Sequence, residues 1–518
     1  MFNNLFKIFR TLYYLKFSQI IFRFLNKLNK PTSETDLNEK YNLNHFYSLE
    51  SYESYNKKQF SFLNLDEEFI DAIDWCYSKH GMLWVFNLNY FEYLNQSNIK
   101  TEEASKIIND YIDKFRLNYI GKHPYTISLR VINFIKFITK HNIIDSKITN
   151  HLYENVLRLN NKIEYHLLGN HVLENAFALW FAGHYFENEK IQKKSITLLR
   201  KELSRQILTD GAHFELSPMY HCILLGRLLE CISLSKSNPQ NWQQKSVDFL
   251  ISKASIMLGW LNQILGEDFK IPLVNDSAYK IAPSPKALFD LASKLNIKLR
   301  ESKLIDSGYR NIKLKKYSFL IDVANVKASY QPGHTHADTF NTLLSHNGKP
   351  ILVEGGTSTY NNNVRRAWER STEAHNTVTI NNKNSSEVWS SFRLGRRAKI
   401  INLIEKDYYF KSTHDGYKHL GALHTRIWKW NENQLNIEDH VITKKKLNSI
   451  AHYHFHPNCS INLNNQRVYV NDNCVINFFG DYKVEKDIYY YAEEFNLLKK
   501  ATKIKVQFIG DLKTSITF

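Results

Sequence analysis

The spacing of apolar residues along this chain changes once. From about residue 65 to residue 300, apolar residues recur at the intervals of an α-helix, most clearly in the segments 127–138 and 172–181. Polar breaks separate successive helical segments of about 12–20 residues. The pattern predicts helical hairpins that form a toroid or partial toroid, although periodicity alone does not establish a ring.

Near residue 310 the spacing changes to the two-residue alternation of β-strands. Strands are predicted at 317–326, 351–354, 376–380 and 452–456, and Asn347-Gly348 predicts a hairpin turn before the second of these. We therefore predict an α+β multidomain protein. Its parts are an N-terminal arm and linker at 1–45, an α-helical toroid domain at 46–308 and an antiparallel β-sandwich at 309–518.

The N-terminal segment Phe2–Leu28 has the pattern of a basic amphipathic helix. Lysines and arginines interrupt its apolar residues, so no uncharged stretch is long enough for a clear signal-peptide core or a membrane span. Two interpretations remain open. The segment is either an arm packed on the main domain or a site of peripheral contact between residues 1–28 and an anionic membrane surface. A polar linker is predicted at 31–45.

The chain is strongly basic, with 68 Lys and Arg against 51 Asp and Glu and a formal net charge of +17. Such a charge attracts nucleic acid, anionic lipid or acidic polysaccharide, or is simply solvated. No zinc-finger spacing and no RNA-binding motif occurs, so no nucleic-acid partner is expected. The 5 cysteines are widely spaced and form no CxxC pair, which argues against a disulfide framework and a cysteine-based zinc site.

Two segments of the helical region concentrate polar side chains near predicted helix starts. In 169–175, Asn170 and His171 begin such a cluster, for which the alternative interpretation is a helix cap. In 210–221, Pro218 is predicted to occupy the first position of a helix, with Tyr220 in its first turn. The positive end of the helix dipole would favour a phenolate or a substrate carboxylate there. The alternative is a buried Tyr-His pair of the core.

The densest polar segment is 330–340, which contains a His-x-His pair. On an extended segment His334 and His336 would share one face, an arrangement that suits a divalent metal such as Zn²⁺. Glu354 and His375 follow downstream, and two histidines with a carboxylate complete a common ligand set. His-x-His pairs without a metal are also frequent. The alternating histidines of a later predicted strand are interpreted as a solvated face: His452, His454 and His456.

Four segments taken together resemble the heparinase II/III-like polysaccharide lyases: 169–186, 210–221, 330–378 and 385–399. They occur in the order of that family, and with 84–94 and 125–135 the resemblance spans about residues 80–400. It implies an N-terminal incomplete (α/α) toroid followed by a C-terminal antiparallel β-sandwich. This agrees with the change in periodicity near residue 310.

The resemblance also implies roles for individual residues. Asn170, helped by His171, matches the group that neutralises a uronate carboxylate. Tyr220 and His334 match the catalytic acid and base, in an order that stays open. One structural divalent metal ion is implied, with zinc favoured, and no organic cofactor. The residues assigned to the metal are His336, Glu354 and His375, where Glu354 replaces the usual aspartate, and those assigned to substrate binding are Glu215 and Arg370.

The implied activity is cleavage of an acidic, uronate-containing glycan by β-elimination, which leaves an unsaturated uronate. The candidate substrates are heparin or heparan sulfate, an alginate-like polymer and a bacterial capsular polymer. Two alternatives remain: a non-catalytic acidic-polysaccharide-binding protein of the cell envelope, and a metal-dependent glycan hydrolase. The resemblance points to the periplasm or cell envelope, while the lack of a clear signal peptide keeps a cytoplasmic location open.

Overall fold

A computed structural model describes residues 2–25, 37, 41–240, 242–471 and 473–518. Of the predicted polar linker, residues 31–36 and 38–40 lie outside these ranges, as do residues 26–28 of the N-terminal segment.

Helices dominate the first 300 residues. Their bounds are α1 (Phe2–Leu12), α2 (Phe17–Leu25), α3 (Met82–Tyr90), α4 (Thr101–Lys114), α5 (Pro124–Lys140), α6 (Ser146–Asn161), α7 (Asn170–Tyr185), α8 (Glu189–Gln206), α9 (Pro218–Ser237), α10 (Gln244–Ile264), α11 (Pro285–Lys294) and, later in the chain, α12 (Val364–Glu369).

Helix α7 lies at the centre of this helical unit. Every residue of α7 except His171 is buried, and the helix contacts α5, α8 and α9. A helix that is apolar on nearly all sides must be covered on all sides, so α7 is surrounded by its neighbours. Its position brings the first turn of α7 close to the first turn of α9.

Strands make up most of the chain after residue 308. The strands are β1 (Tyr55–Asn56), β2 (Gln59–Phe62), β3 (Leu65–Glu68), β4 (Tyr309–Lys313), β5 (Tyr317–Asp322), β6 (Thr342–His346), β7 (Lys349–Leu352), β8 (Val378–Ile380), β9 (Val388–Trp389), β10 (Arg393–Leu394), β11 (Ile400–Lys406), β12 (Tyr409–His414), β13 (Ala422–Asn431), β14 (Gln434–Thr443), β15 (Ser449–His454), β16 (Ile461–Asn464), β17 (Arg467–Val470), β18 (Cys474–Glu494) and β19 (Leu497–Thr517).

In the described part of the β unit, two large antiparallel sheets are accompanied by the short pair β9–β10. The larger sheet has the order β11-β12-β13-β14-β19-β18-β17-β16, with β15 pairing β19 and β8, and the smaller has the order β4-β5-β6-β7. Apolar side chains of both sheets share one core, as Phe319 of β5 and Trp428 of β13 do. The chain therefore has the predicted α+β fold, an incomplete (α/α) toroid followed by an antiparallel β-sandwich.

Several local predictions are confirmed. The strands β5, β7, β8 and β15 overlap the four segments predicted as strands. Asn347 and Gly348 both have left-handed backbone conformations, with φ of 48° and 72°, as a two-residue hairpin between β6 and β7 requires. Pro218 begins α9, and the Ser217 hydroxyl caps the helix by accepting a hydrogen bond from the Tyr220 backbone N–H.

Two features differ from the sequence-based expectation. A small sheet, β1-β2-β3, lies within the part of the chain predicted to be helical, because its strands are too short to produce a visible alternation. The interpretation of the later histidines as a solvated face was wrong for two of them. Strand β15 lies between β8 and β19, and His452 and His454 are 2% and 0% exposed. His456 is half-buried.

The N-terminal arm, defined here as residues 2–25, packs on the main body through one side only. Arg10 forms an ion pair with Glu387, and Gln19 is buried. Large apolar side chains such as Phe9, Phe17 and Phe24 remain exposed on the other side. Across the described part of the chain, no helix is both long and apolar enough to span a membrane.

Candidate active site

The polar segments singled out in the sequence meet in one cleft between the helical and β units. Asn170 begins α7, Tyr220 lies in the first turn of α9, and His334 comes from the loop between β5 and β6. The rings of Tyr220 and His334 stack with centroids 4.0 Å apart and an interplanar angle of 31°. Asn170 reaches the same place through Glu215, since the Glu215 Oε2 atom is 2.9 Å from Asn170 Nδ2 and 3.7 Å from His334 Nε2.

Gly169 makes this meeting possible. Its φ of +60° is a conformation that side-chain-bearing residues rarely adopt. A Cβ at this position would lie 2.9 Å from Glu215 Oε1 and 3.0 Å from Gln331 Cγ. Only glycine therefore lets α7 start directly against the Glu215 carboxylate and against the loop 323–341. This loop carries His334 and His336 and is called the histidine loop below.

Asp276 lies at the centre of the site, and the sequence pattern did not single it out. It is fully buried, and its carboxylate accepts hydrogen bonds from His334 Nδ1 at 2.9 Å and His336 Nε2 at 2.8 Å. The guanidinium of Arg366 donates to both carboxylate oxygens, at 2.5 and 2.7 Å. The two histidines thus lie on the same side of their loop, as predicted, but both bind the carboxylate of Asp276.

The charge state of Asp276 follows from these contacts. Burial alone would raise the pKa of this carboxyl, but Arg366 and the two histidine hydrogen bonds outweigh burial and hold the pKa well below its usual range. An ionised carboxylate only accepts hydrogen bonds, so the Nδ1 atom of His334 must carry the proton. The Nε2 atom of His334, which then carries the lone pair of that tautomer, lies 3.7 Å from Glu215 Oε2.

The backbone at Asp276 is held in place by its neighbour Asn275. Asn275 has a φ of 54°, a left-handed conformation, and its side chain donates to the Leu216 carbonyl and the Tyr309 hydroxyl, each at 3.1 Å. The Asn275 side-chain oxygen also accepts the His336 backbone N–H at 2.9 Å. The strained conformation is therefore over-determined by hydrogen bonds, as is common at functional sites.

Tyr220 lies at the open side of His334. Its hydroxyl is 3.3 Å from the hydroxyl of Tyr360, which the sequence analysis also missed. Burial raises the pKa of Tyr220, with only partial opposition from the hydrogen bond to Tyr360. The helix dipole does not overcome burial, so at neutral pH this hydroxyl keeps its proton and is suited to donate it.

His171 occupies a separate position on the rim of the cleft. Its Nδ1 atom is 3.1 Å from Glu164 Oε1, and its ring packs on Tyr125 with centroids 4.8 Å apart. Burial opposes a positive charge here, but Glu164 outweighs it and raises the pKa of His171. Tyr125 and Tyr90, whose ring centroids are 6.0 Å apart, continue the aromatic rim toward α3. Such ring edges and faces can pack against sugar rings.

Glu174, one turn further along α7, is a buried carboxyl without a hydrogen-bond partner. Both of its oxygens lack a partner, and the nearest cation is Arg227, with Nε 3.7 Å away. Burial raises the pKa of Glu174 to about 7, against the opposing attraction of Arg227. Because the folded state binds this proton more tightly than the unfolded chain does, stability is gained as pH falls through 7.

We expect the Glu174→Gln substitution, which mimics the neutral acid, to raise the free energy of unfolding at pH 8.5 by roughly 1–3 kcal/mol. The gain should shrink as the pH falls toward 5, and denaturant titrations at both values measure it. Glu164→Gln is the matched control with the opposite sign, because His171 outweighs burial and lowers the pKa of Glu164. A gain for Glu174→Gln that does not change with pH would contradict this account.

The predicted metal ligands lie together behind Asp276. The rings of His336 and His375 have centroids 5.3 Å apart, and Glu354 accepts a hydrogen bond from His375 Nδ1. His336 Nδ1, His375 Nε2 and Asp338 Oδ2 are buried without partners, which is the donor chemistry that a divalent metal needs. Within the part of the chain that the structure describes, however, no three His, Cys, Asp or Glu side chains already form a metal-binding group.

Both predicted substrate-binding residues are buried, and only Glu215 lies beside Asn170 and His334. Arg370 is fully buried and donates to the backbone carbonyls of Thr335, Ser390 and Arg393, so it braces loops instead. Glu215 is 2% exposed and holds the Asn170 amide. Arg366, four residues before Arg370, is the arginine that reaches the centre of the site.

Comparisons with known proteins agree with this architecture. The heparinase II/III N-terminus model matches residues 122–286, and the heparinase II/III-like C-terminal model matches residues 298–517. A heparin-sulfate lyase of Bacteroides stercoris is 23% identical over 256 residues, and one of Pedobacter heparinus is 25% identical over 253 residues. These matches cover 44% and 42% of this chain but only 38% and 36% of those proteins, so the chain spans little more than a third of their length.

Solved structures share the fold. A heparinase III crystal structure aligns with a TM-score of 0.69 and 15% identity, covering 96% of this chain and 89% of its own. A mutant heparan sulfate lyase from Pedobacter heparinus aligns with a TM-score of 0.59 and 16% identity, covering 96% and 87%. With both family models matched in chain order on the two structural units, the chain belongs to the heparinase II/III-like family.

Proposed function

We propose that this protein is a polysaccharide lyase that cleaves an acidic, uronate-containing glycan of the glycosaminoglycan type by β-elimination. The observation that carries the proposal is the stacked pair of Tyr220 and His334 beside Asn170, with His334 Nδ1 held by Asp276 and Nε2 left on the side of Glu215. The net charge of +17 favours a polyanionic substrate. The heparin-sulfate lyases among its relatives support the same reaction class.

The reaction requires neutralisation of the uronate carboxylate, because the C5 proton is not acidic enough while the carboxylate keeps its full charge. We place that carboxylate beside Asn170 and Glu215. Burial raises the pKa of Glu215, against opposition from His334 and Asn170, and so favours its protonated form. An amide and a carboxylic acid that both donate hydrogen bonds would stabilise the dianion that develops in the transition state.

Proton transfer is assigned to the stacked pair. The Nε2 atom of His334 takes the C5 proton, the C5–H electrons form the C4–C5 double bond, and the C4–O4 bond breaks. Tyr220, which keeps its proton because burial raises its pKa, protonates the departing O4. Exchange with solvent then restores both groups.

The geometry favours a lyase over a metal-dependent hydrolase. A hydrolase would need the metal-site histidines to present an activated water to the glycan. His336 and His375 are 3% and 1% exposed and lie behind Asp276, away from the cleft. A binding protein without catalysis would have no use for the fixed tautomer of His334.

A panel of acidic polysaccharides, followed by ultraviolet absorbance, tests the proposal. The panel contains heparan sulfate, heparin, chondroitin sulfate, alginate and an unsulfated bacterial uronan. We expect at least one polymer to yield the absorbance of an unsaturated uronate. New reducing ends without that absorbance would support the hydrolase instead, and retention of intact polymer would support the binding protein.

We also propose a structural divalent metal, with zinc favoured, held by His336, Glu354 and His375. A bound cation would satisfy the two free imidazole nitrogens and brace the loop that carries His334. We expect His336→Ala and His375→Ala to lower both metal content and melting temperature, measured after purification without chelators. His454→Ala is the control, since His454 is buried with a free Nε2 elsewhere and should lower only the melting temperature. A wild-type protein without stoichiometric metal would contradict the proposal.

The exposed apolar side chains of the N-terminal arm suggest a partner other than the polysaccharide. Phe9, Phe17 and Phe24 are exposed, and Lys7 and Arg23 lie on the same two helices. We propose peripheral contact with an anionic membrane surface, consistent with a place in the periplasm or cell envelope. Sedimentation with vesicles containing phosphatidylglycerol should recover the protein, and a Phe9→Ser, Phe17→Ser, Phe24→Ser variant should stay in the supernatant. Equal recovery of both would contradict it.

A further inference from the structure

The N-terminal arm lies against the rim of the catalytic cleft and is fixed there. Arg10 donates to both oxygens of Glu387, at 2.8 and 2.6 Å. The buried Gln19 amide donates to the Leu167 carbonyl of the helical unit at 3.1 Å and to the Tyr330 carbonyl of the β unit at 3.3 Å. The arm therefore bridges both units at the point where the histidine loop begins.

A small cavity remains between the arm and the rim. It is lined by Arg23 of α2, Gln331 and Pro332 of the histidine loop, and Phe392, Arg393 and Arg397 of the β9–β10 region. The cavity holds roughly 70 Å³, enough for several water molecules or one small anionic group but not for a whole sugar ring. The walls of the cavity thus come from the N-terminal arm, from residues just before His334 and from the β9–β10 region.

The cavity adjoins the catalytic residues. Phe392, the neighbour of Arg393, packs its ring edge-on against His334 with centroids 6.0 Å apart, and against Tyr360 at 5.1 Å. Gln331 precedes His334 by three residues. A polymer bound at Tyr220 and His334 would therefore pass this cavity with a sugar residue close to the one that reacts.

Three arginines line the cavity, of which Arg23 and Arg393 are exposed and Arg397 is buried. Among the described residues, neither Arg23 nor Arg393 has a carboxylate in ion-pair distance or a side-chain hydrogen bond. Arg397 donates only to the Ser329 carbonyl and stacks on Tyr14, with its guanidinium carbon 3.5 Å from the ring centroid. Glu387, which precedes Arg393 by six residues, is paired with Arg10. Burial and repulsion from Arg23 both lower the pKa of Arg393.

Two exposed guanidinium groups that line one cavity, without a described carboxylate between them, attract an anion from solution. The planar guanidinium donors of arginine match the oxygens of a sulfate or carboxylate in a two-point hydrogen bond. We propose that Arg23 of the arm and Arg393 of the β unit form an anion subsite that binds a sulfate or carboxylate on a sugar residue next to the cleaved bond. The subsite makes the arm part of the substrate-binding surface, and it rests on the proposed function.

Kinetics on the polymer that the panel identifies test the subsite. Arg23→Ala and Arg393→Ala should each raise KM on the order of tenfold, with kcat changed less than twofold, because one charge-assisted contact to bound substrate is lost. The double variant should be little worse than either single variant, because both side chains hold one anion. Arg467→Ala is the matched control, since it removes the same charge from an exposed site on β17. An unchanged KM in both single variants, or an equal rise for Arg467→Ala, would overturn the proposal.

Two further experiments identify the anion as sulfate or carboxylate and distinguish failure of the subsite from failure of the proposed lyase activity. If the rise in KM disappears on the desulfated form of the same polymer, the group is a sulfate; if it persists, the group is a carboxylate. Calorimetric binding of a heparin oligosaccharide is measured independently of turnover, in the Tyr220→Phe background. If Arg23→Ala weakens binding of the oligosaccharide in the Tyr220→Phe background, the subsite is supported even if no polymer is cleaved. Unchanged binding overturns it whatever the activity. Arg23→Lys, which keeps the charge, should fall between the wild type and Arg23→Ala.

Discussion

Replacement of Tyr220 by phenylalanine is expected to reduce turnover by about 10²–10⁴-fold while the fold survives. The substitution removes one hydroxyl, the group assigned to protonate the leaving O4. The described contact of that hydroxyl is with the Tyr360 hydroxyl at 3.3 Å, and the ring would keep its packing on His334. Initial rates by ultraviolet absorbance, with melting temperatures, measure both parts of the expectation.

Tyr360→Phe is the matched control for this experiment. It removes the other hydroxyl of the same contact without touching the assigned proton donor, and a loss of less than about tenfold is expected. Activity close to that of the wild type in Tyr220→Phe would contradict the assignment of Tyr220. A loss in Tyr360→Phe as large as that in Tyr220→Phe would mean that the pair acts as a unit.

Replacement of His334 by alanine is expected to reduce kcat by about 10²–10⁴-fold, because it removes the base that takes the C5 proton. Asp276 holds the Nδ1–H of His334 at 2.9 Å, so the lost group is an imidazole whose orientation is fixed and whose Nε2 is assigned to take the proton. The alanine leaves a space beside Tyr220 of the size of the lost ring. Added imidazole should therefore restore part of the activity, and the rate should rise with imidazole concentration.

The His334→Gln variant distinguishes loss of the base from loss of the volume that the imidazole ring fills. Glutamine can still donate to Asp276 but cannot accept a proton, and it occupies the space that free imidazole would enter. We expect this variant to be as inactive as His334→Ala and to resist rescue. Full activity in His334→Gln would remove His334 from the reaction, and rescue of both variants to the same extent would show that imidazole acts elsewhere.

The sequence predicted those parts of the molecule that depend on local spacing. The change of period near residue 310 corresponds to the end of α11 and the beginning of β4 at Tyr309. Pro218 after Ser217 correctly placed the start of α9 and put Tyr220 in its first turn. The close spacing of His334 and His336 correctly put both rings together on Asp276, although the segment turns at 333–334 and is not an extended strand.

The parts that were missed depend on contacts between distant segments. Asp276 lies 58 residues from His334 and 90 from Arg366, and nothing near it in sequence marks it as their partner. The segment Asn275-Asp276-Ser277 looks like an ordinary polar turn after a helix. A buried charge becomes visible only once the fold brings its partners together.

The same limit explains three misassigned residues. Alternation predicts which side chains of a strand share a face, but it does not reveal whether another strand covers that face, so His452 and His454 were interpreted as solvated. Arg370 and Arg366 both lie near His375 in sequence. The short helix α12 directs Arg366 to Asp276 and leaves Arg370 among backbone carbonyls.

The central claim is that the glycosidic bond breaks by elimination at the Tyr220–His334 pair. Mass spectrometry of the oligosaccharides released from a purified polymer tests this most directly, because elimination adds no water to the fragments whereas hydrolysis adds one molecule for each bond cleaved. The account predicts fragments that sum to the mass of the intact repeats, each carrying one unsaturated uronate at its non-reducing end. Fragments heavier by one water, with saturated ends, would contradict it.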